Sequence, residues 1–159
     1  MAKVITFSPF FPGYHPRKGE QTHFIEMVVK SFAQCGIPTG EFDEYRHFDE
    51  EFYETCEPKG HTVRAGHRFS AGEKFSPRVW AGRPYNSQQI IIAPDVEIKS
   101  VWNFRTYTAG PIYLEGLTPY DLDLLAKNDG LSKQDFLDWF KYPGPFDGQV
   151  ICWDEKIKY

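Results

Sequence analysis

The chain has 159 residues, a formal net charge of −4 and 17% aromatic residues. This length predicts one domain, residues 1–159, with a core of its own. No apolar run reaches the length of a membrane span, and the first residues, MAKVITFSPF, lack the pattern of a secretory signal. Three widely spaced cysteines without a CxxC pair argue against a zinc ribbon and predict reduced thiols in a cytoplasmic protein.

The first half of the chain predicts a strand, a loop and helices. Residues 3–8 form a strand that ends in the proline- and glycine-rich stretch FSPFFPGYHP. Apolar residues at helical spacing predict a helix over 20–34. Aromatic residues three or four apart within 41–57 are compatible with an amphipathic helix, and a plain surface helix is the alternative.

The second half predicts strands and two short helices. The strands lie at 74–80, 88–93 and 96–104, followed by a hairpin within 105–114 and a last strand at 148–153. TPYD from Thr118 and SKQD from Ser132 are capping boxes that each predict the start of a helix. The order of elements predicts an α+β domain built on a small β-barrel or a strongly bent sheet.

Charge is distributed unevenly. Residues 41–57 contain eight acidic residues and one arginine, whereas residues 59–83 contain six basic residues and one acid. The asymmetry predicts an acidic flank and a basic face. A basic face that carries aromatic side chains is compatible with nucleotide or RNA binding, and a solvated surface without a ligand is the alternative.

The stretch KGHTVRAGHRF, residues 59–69, contains the candidate chemistry. Thr62 is a weak nucleophile unless a base takes its proton, and Lys59 is a base only when its amine is neutral, which burial or a neighbouring cation favours. Arg64 can be that cation, or can hold a phosphate or a carbonyl oxygen. These residues make a candidate acyl-transfer site, and a basic surface turn with a satisfied threonine is the alternative.

Asp129 is a second candidate, because it follows the helix that the TPYD motif begins. An aspartate at a helix C-terminus faces the negative end of the dipole, so a lysine or arginine nearby would compensate it. The alternative is an ordinary turn residue before the Ser132 cap.

The remaining candidates are histidines and aromatic residues. His61 and His67 lack a matching pair of acids, so they are interpreted as surface or stacking groups rather than metal ligands, and neither a metal nor a cofactor is predicted. Phe69, Trp80 and Tyr85 are candidates for stacking on a base, although aromatic residues more often belong to the core.

Together these motifs resemble the ASCH domain of the PUA-like superfamily, including uncharacterised members from bacteria and phages. The matching elements are KGHTVR at 59–64, AGEKF at 71–75, the strand at 96–102, AKNDG at 126–130, the helix with residues 136–140 and the strand at 149–153. The resemblance covers about residues 4–153 and makes 39–58 an acidic insertion. It implies a small bent β-barrel with helices closing one side and a cleft between.

The resemblance also implies a function. Small bacterial ASCH proteins include amidohydrolases that deacetylate N(4)-acetylcytidine without a metal, by means of a lysine, a threonine three residues on and a glutamate before the second paired helix. Lys59, Thr62 and Asp129 match these positions, with an aspartate one methylene shorter than the glutamate. The implied roles are attack by Thr62, proton transfer by Lys59, and support of the lysine or proton relay by Asp129.

The implied ligand is a nucleoside or RNA. Arg64 would position the substrate or steady an oxyanion, and His61, Arg68 and Trp80 complete the expected substrate-binding set. PUA-like domains often bind RNA without chemistry, so a non-catalytic module that binds RNA or a modified nucleotide is the alternative function. A third class is a protein that binds a partner through the acidic flank.

Overall fold

The computed structural model describes residues 2–40, 45–119 and 121–159. Within these ranges the chain forms the mixed α+β structure that the sequence predicts. The helices are α1 (Phe24–Gln34), α2 (Glu50–Thr55), α3 (Leu122–Asn128) and α4 (Lys133–Phe140). The strands are β1 (Lys3–Thr6), β2 (His61–Ala65), β3 (Lys74–Trp80), β4 (Gln89–Ile91), β5 (Val96–Glu97), β6 (Ser100–Thr106), β7 (Tyr113–Leu114) and β8 (Phe146–Cys152).

The described strands form two four-stranded sheets and do not close into a barrel. In the first sheet, β3 pairs parallel with β1 and antiparallel with β4 and β5. The second sheet is antiparallel in the order β2-β8-β6-β7. The predicted hairpin within 105–114 is confirmed, because Phe104 and Arg105 of β6 pair with Leu114 and Tyr113 of β7.

The strand predicted at 96–104 is two strands, because the chain passes from one sheet to the other. The Ile98 amide donates to the Glu73 carbonyl beside β3, and the next amide, of Lys99, donates to the Cys152 carbonyl of β8. The apolar alternation continues through this crossing, so the sequence pattern alone does not reveal it.

The core joins the sheets to α1. The ring of Trp153 contacts Phe7, Phe32 and Phe75, and its Nε1 donates to Ser31 Oγ over 2.9 Å. These contacts connect α1, the first sheet and the end of β8, which positions β2 beside α1.

Two helix starts differ from the prediction and one agrees. Helix α1 begins at Phe24 rather than near residue 20, after His23 in a left-handed conformation (φ 60°). Helix α3 is capped by Asp121, whose side chain accepts from the Leu124 amide, so a start at Thr118 is wrong. The cap at Ser132 is confirmed by its hydrogen bond from the Asp135 amide.

The predicted insertion, 39–58, contains α2, while residues 41–44 lie outside the described residues, as does Tyr120 of the TPYD motif. Helix α2 packs on α1, where the rings of Phe52 and His23 stack with centroids 3.9 Å apart and Lys30 donates to the Glu54 carbonyl. The acidic segment therefore covers part of α1.

Two further findings concern the chain's environment. In the described ranges no helix combines the length and apolarity that crossing a bilayer requires. Cys35, Cys56 and Cys152 are free thiols.

Candidate functional site

The KGHTVRA stretch is an edge strand rather than a surface turn. His61 and Thr62 of β2 pair with Cys152 and Ile151 of β8, and Lys59, His61 and Thr62 are each at most 4% exposed. The predicted basic face is therefore wrong for Lys59, and Arg64 is only half-buried but has an enclosed Nε. The pairing of β2 with β8 and the backbone contacts of Lys59 with α1 turn these groups inward, and a charge count along the sequence does not detect this.

Lys59 and Asp129 form an enclosed ion pair. Lys59 Nζ lies 2.9 Å from Asp129 Oδ1 and 2.5 Å from the Asp129 backbone oxygen, and the two side chains are 1% and 2% exposed. The backbone holds this geometry, because the Lys59 amide donates to Met27 of α1 and the Gly60 amide donates to Asn128 of α3. The cation predicted to compensate Asp129 at the helix end is thus Lys59, and the shorter aspartate reaches it.

The lysine ammonium also has an aromatic neighbour. Lys59 Nζ lies 4.3 Å from the centre of the Phe24 ring, at the first turn of α1. A cation over a ring face is attracted by the ring quadrupole, and the attraction grows when water is excluded. Phe24 therefore partly compensates the desolvation of the lysine.

His61 belongs to the same cluster, so its interpretation as a surface or stacking group is wrong. It is fully buried, with Nδ1 3.2 Å from Asp129 Oδ1 and Nε2 2.6 Å from the Tyr159 hydroxyl. Asn128 Nδ2 donates to the same hydroxyl over 2.9 Å. Sequence reasoning missed Asn128 and Tyr159; Asn128 adjoins Asp129, which is a usable signal, whereas nothing near Tyr159 marks it.

Thr62 and Arg64 lie on the opposite face of β2 from His61, because strand side chains alternate. Arg64 Nη2 donates to the Thr6 carbonyl over 2.6 Å, and its guanidinium carbon lies 5.6 Å from the centre of the Phe7 ring. Arg64 Nε is enclosed and is the one such side-chain nitrogen or oxygen in the described residues without a hydrogen-bond partner. The Thr62 hydroxyl has no hydrogen bond to Lys59.

Burial controls the protonation of this cluster. Burial lowers the pKa of Lys59, against the opposing attraction of Asp129, and the nearby Arg64 lowers it further. Burial also lowers the pKa of His61, and it lowers the pKa of Arg64 to about 10. Because desolvation disfavours charged forms, the site shifts Lys59 toward the neutral amine relative to water.

The structure does not bring Arg68 or Trp80 to this cluster. Arg68 is exposed beside Phe69, and Trp80 lies at the end of β3 in the other sheet, packed on Tyr85. Phe69 belongs to the core, as the alternative for these aromatic residues expects. His67 is a surface group paired with Asp147.

One group of side chains in the described ranges has metal-ligand spacing: His15, Asp135 and Asp138. His15 Nδ1 accepts from the Arg17 amide, and Nε2 faces the Asp135 carbonyl at 3.0 Å, which requires Nε2 to donate. Arg17 Nη1 lies 2.6 Å from the Asp135 carboxylate. Both ring nitrogens and the carboxylate are thus already occupied, and these residues do not fit a metal.

Two cavities border the second sheet, one on each face, because Asn103 and Arg105 point to one side of β6 and Trp102 to the other. One, of about 550 Å³, is lined by His67, Asn103, Phe104, Arg105, Tyr107, Tyr113, Gly116 and Asp147. The other, of about 400 Å³, includes Trp102, Leu114, Leu124 and Tyr159 in its lining. Neither reaches Lys59 or Asp129 directly, but Tyr159 connects the second cavity to His61.

No protein-family model, curated protein or solved structure matches this chain. The resemblance to the ASCH domain therefore stays a prediction. The fold and the site define an α+β protein with an enclosed lysine–aspartate–histidine cluster, and its function is argued from that cluster.

Proposed function

We propose that this protein is a metal-independent amidohydrolase that deacetylates N(4)-acetylcytidine or a similar acetylated nucleoside. The observation that carries the proposal is the enclosed Lys59 ammonium held against Asp129, next to an arginine whose Nε has no partner. A lysine acts as a base only when neutral, and burial with a second cation nearby is the arrangement that supplies a neutral amine at ordinary pH.

The proposed reaction has two stages. Lys59 takes the proton of the Thr62 hydroxyl as its oxygen attacks the acetyl carbonyl; the carbon–nitrogen bond then breaks, and the lysine returns the proton to the leaving amine. In the second stage water attacks the acetyl ester on Thr62, Lys59 takes the water proton and returns it to the threonine oxygen, and acetate leaves. Asp129 holds the lysine throughout.

One unpaired polar group supports a ligand position on the Thr62 face of β2. Arg64 Nε–H is an enclosed donor, and buried donors without a partner are rare in proteins. A carbonyl oxygen that gains negative charge during attack would satisfy this donor, which is the work of an oxyanion hole. In the free protein Asp129 holds the lysine in the cluster with His61, so the proposed transfer requires Lys59 Nζ to move toward Thr62 when substrate binds.

The test is hydrolysis of N(4)-acetylcytidine by the purified protein, followed by chromatography. We expect turnover in the natural sequence and its loss in Lys59→Ala and Thr62→Ala. The matched controls are Lys74→Ala and Thr108→Ala, which change the same residue types at exposed positions. No turnover by the folded natural protein would remove this reaction as the function.

A non-catalytic nucleotide- or RNA-binding module is the second candidate, and the 550 Å³ cavity favours it. Arg105 and the rings of Tyr107 and Tyr113 line that cavity beside the His67–Asp147 pair. Aromatic rings beside a guanidinium suit stacking of an unpaired base. RNA affinity that falls steeply with salt and is lost in Tyr107→Ala, while Lys59→Ala binds normally, would favour this candidate.

A further inference from the structure

Two side chains contact the same oxygen of the Asp129 carboxylate. Lys59 Nζ lies 2.9 Å and His61 Nδ1 lies 3.2 Å from the same atom, Oδ1. The proposed chemistry uses Lys59 and assigns no role to His61. Burying an imidazole is costly unless its nitrogens are hydrogen-bonded. The hydrogen bonds around His61 show what it does to the carboxylate.

The contacts of Tyr159 fix which ring nitrogen carries the proton. Asn128 Nδ2 can only donate, so the Tyr159 oxygen accepts from it over 2.9 Å. The phenol proton is then directed at His61 Nε2, 2.6 Å away, and Nε2 accepts. In a neutral imidazole the proton must therefore be on Nδ1, which donates to Asp129 Oδ1.

We propose that His61, held in this tautomer by Tyr159 and Asn128, is a positioning residue that shares the Asp129 carboxylate with Lys59 and thereby sets the basicity of the lysine. A hydrogen bond donated to Oδ1 reduces the negative charge available to the ammonium. Since the attraction of Asp129 opposes the loss of the lysine proton, weakening that attraction makes the neutral base more accessible. The catalytic role of this effect rests on the proposed hydrolysis, whereas the effect of His61 on the lysine does not.

Few other groups can produce the same effect. The titratable or charged side chains facing His61 are Lys59, Asp129, Tyr159 and, across the β2–β8 pairing, Cys152. Burial raises the pKa of Cys152 to about 12, so this thiol stays neutral over the working range. The other nearby charge is Arg64, which acts on Lys59 and Asp129 from the opposite face of β2.

The first readout is the titration of the Lys59 side-chain amine by NMR, assigned by its absence in Lys59→Met. His61→Leu removes the donor, and Tyr159→Phe removes the hydroxyl that fixes the tautomer at a partly exposed position. In His61→Leu we expect Lys59 to titrate about one pH unit higher than in the natural protein, a shift typical of losing one such hydrogen bond. In Tyr159→Phe we expect a smaller rise, because the carboxylate can only accept and still favours the proton on Nδ1. His61→Asn, whose amide replaces the Nδ1 donor, should restore most of the shift, and Tyr107→Phe, a distant loss of a phenol hydroxyl, should show none.

The second readout is the pH profile of N(4)-acetylcytidine hydrolysis. Its acidic limb should move with the Lys59 titration of each variant, about one pH unit in His61→Leu, which lowers the rate about tenfold on that limb. If His61→Leu does not fold, His61→Met, which also lacks the donor, decides. Unchanged Lys59 titration in folded variants would overturn the inference, whereas absence of hydrolysis in the natural protein with shifted titration would overturn only the proposed function.

Discussion

Removing one member of the Lys59–Asp129 pair should cost far more stability than removing both charges. In Asp129→Asn the ammonium stays enclosed, keeps its bond to the residue 129 carbonyl and loses its counter-charge. Breaking a buried pair in this way costs about 3–5 kcal/mol, because an uncompensated charge remains away from water. Lys59→Met should cost a similar amount, since it leaves the carboxylate with His61 alone.

The double variant Lys59→Met/Asp129→Asn should be much more stable than the sum of the two losses predicts. It contains no buried charge of the pair, and the asparagine oxygen still accepts from His61 Nδ1. We expect a double variant near the natural stability, as for buried ion pairs replaced by neutral groups, so the coupling free energy should approach the sum of the two single losses. The double variant should nevertheless be inactive, which separates a structural pair from a catalytic one.

The assay is urea unfolding followed by tryptophan fluorescence, with circular dichroism to check the native state. For a chain of this length, a loss of 3–5 kcal/mol lowers the melting temperature by on the order of 10 °C. Single variants that each cost less than about 1 kcal/mol and add without coupling would refute the reasoning, because they would mean that water reaches the pair. An active double variant would equally exclude Lys59 as the base.

Three further predictions concern neighbours of the pair. Gly148→Ala should cost about 1–3 kcal/mol or more, since its Cβ would clash with the Arg64 carbonyl oxygen. Gly60→Ala should cost less than about 1 kcal/mol, because its Cβ would clash only with the flexible end of the Ile157 side chain; urea unfolding compares the two variants. Arg64→Met should lower kcat about 100-fold. It should change the unfolding free energy by less than about 1 kcal/mol, since loss of the hydrogen bond to the Thr6 carbonyl is offset by removal of the unpaired Nε. Equal losses in activity and stability would contradict this. The folded-state pKa of His61 lies below 6.5, so below about pH 6.5 the unfolded chain binds a proton that the folded chain does not. As the pH falls, the natural protein should lose up to about 1.4 kcal/mol of unfolding free energy per pH unit relative to His61→Asn, which unfolding at pH 7 and 5.5 measures. Parallel pH dependence in the two proteins would show that His61 does not titrate this way.

Local sequence signals predicted most elements but not how the sheets are arranged. The strand at 74–80 and the Ser132 cap depend on nearby residues, and both agree with the structure. The change of sheet at Ile98 and Lys99 depends on hydrogen bonds to residues 73 and 152, which no local pattern contains. The capping box at Thr118 failed because Asp121, three residues on, supplies the cap.

In the candidate site, too, the sequence predicted the local features and missed those that depend on distant residues. Asp129 needed a cation for a local reason, its position at a helix end, so the sequence could predict that one exists. That the cation is Lys59 follows from the path of the chain just before β2, where α1 accepts the Lys59 amide and the end of α3 accepts the Gly60 amide. The Tyr159 contact depends on the path of the last residues and has no counterpart in the sequence pattern.

The alternation of β2 explains why a count of basic residues misjudged this stretch. A strand at the edge of a sheet with both faces covered points its side chains alternately into two enclosed spaces, so His61 faces Tyr159 on one side and Arg64 faces Thr6 and Phe7 on the other. The cluster therefore has different neighbours on its two sides: a hydrogen-bond chain toward the 400 Å³ cavity, and an unpaired guanidinium nitrogen beside Thr62. Asp129 interacts with His61 and Lys59 directly and with Arg64 through its charge. A substitution on either face of the strand should therefore change the pKa of Lys59.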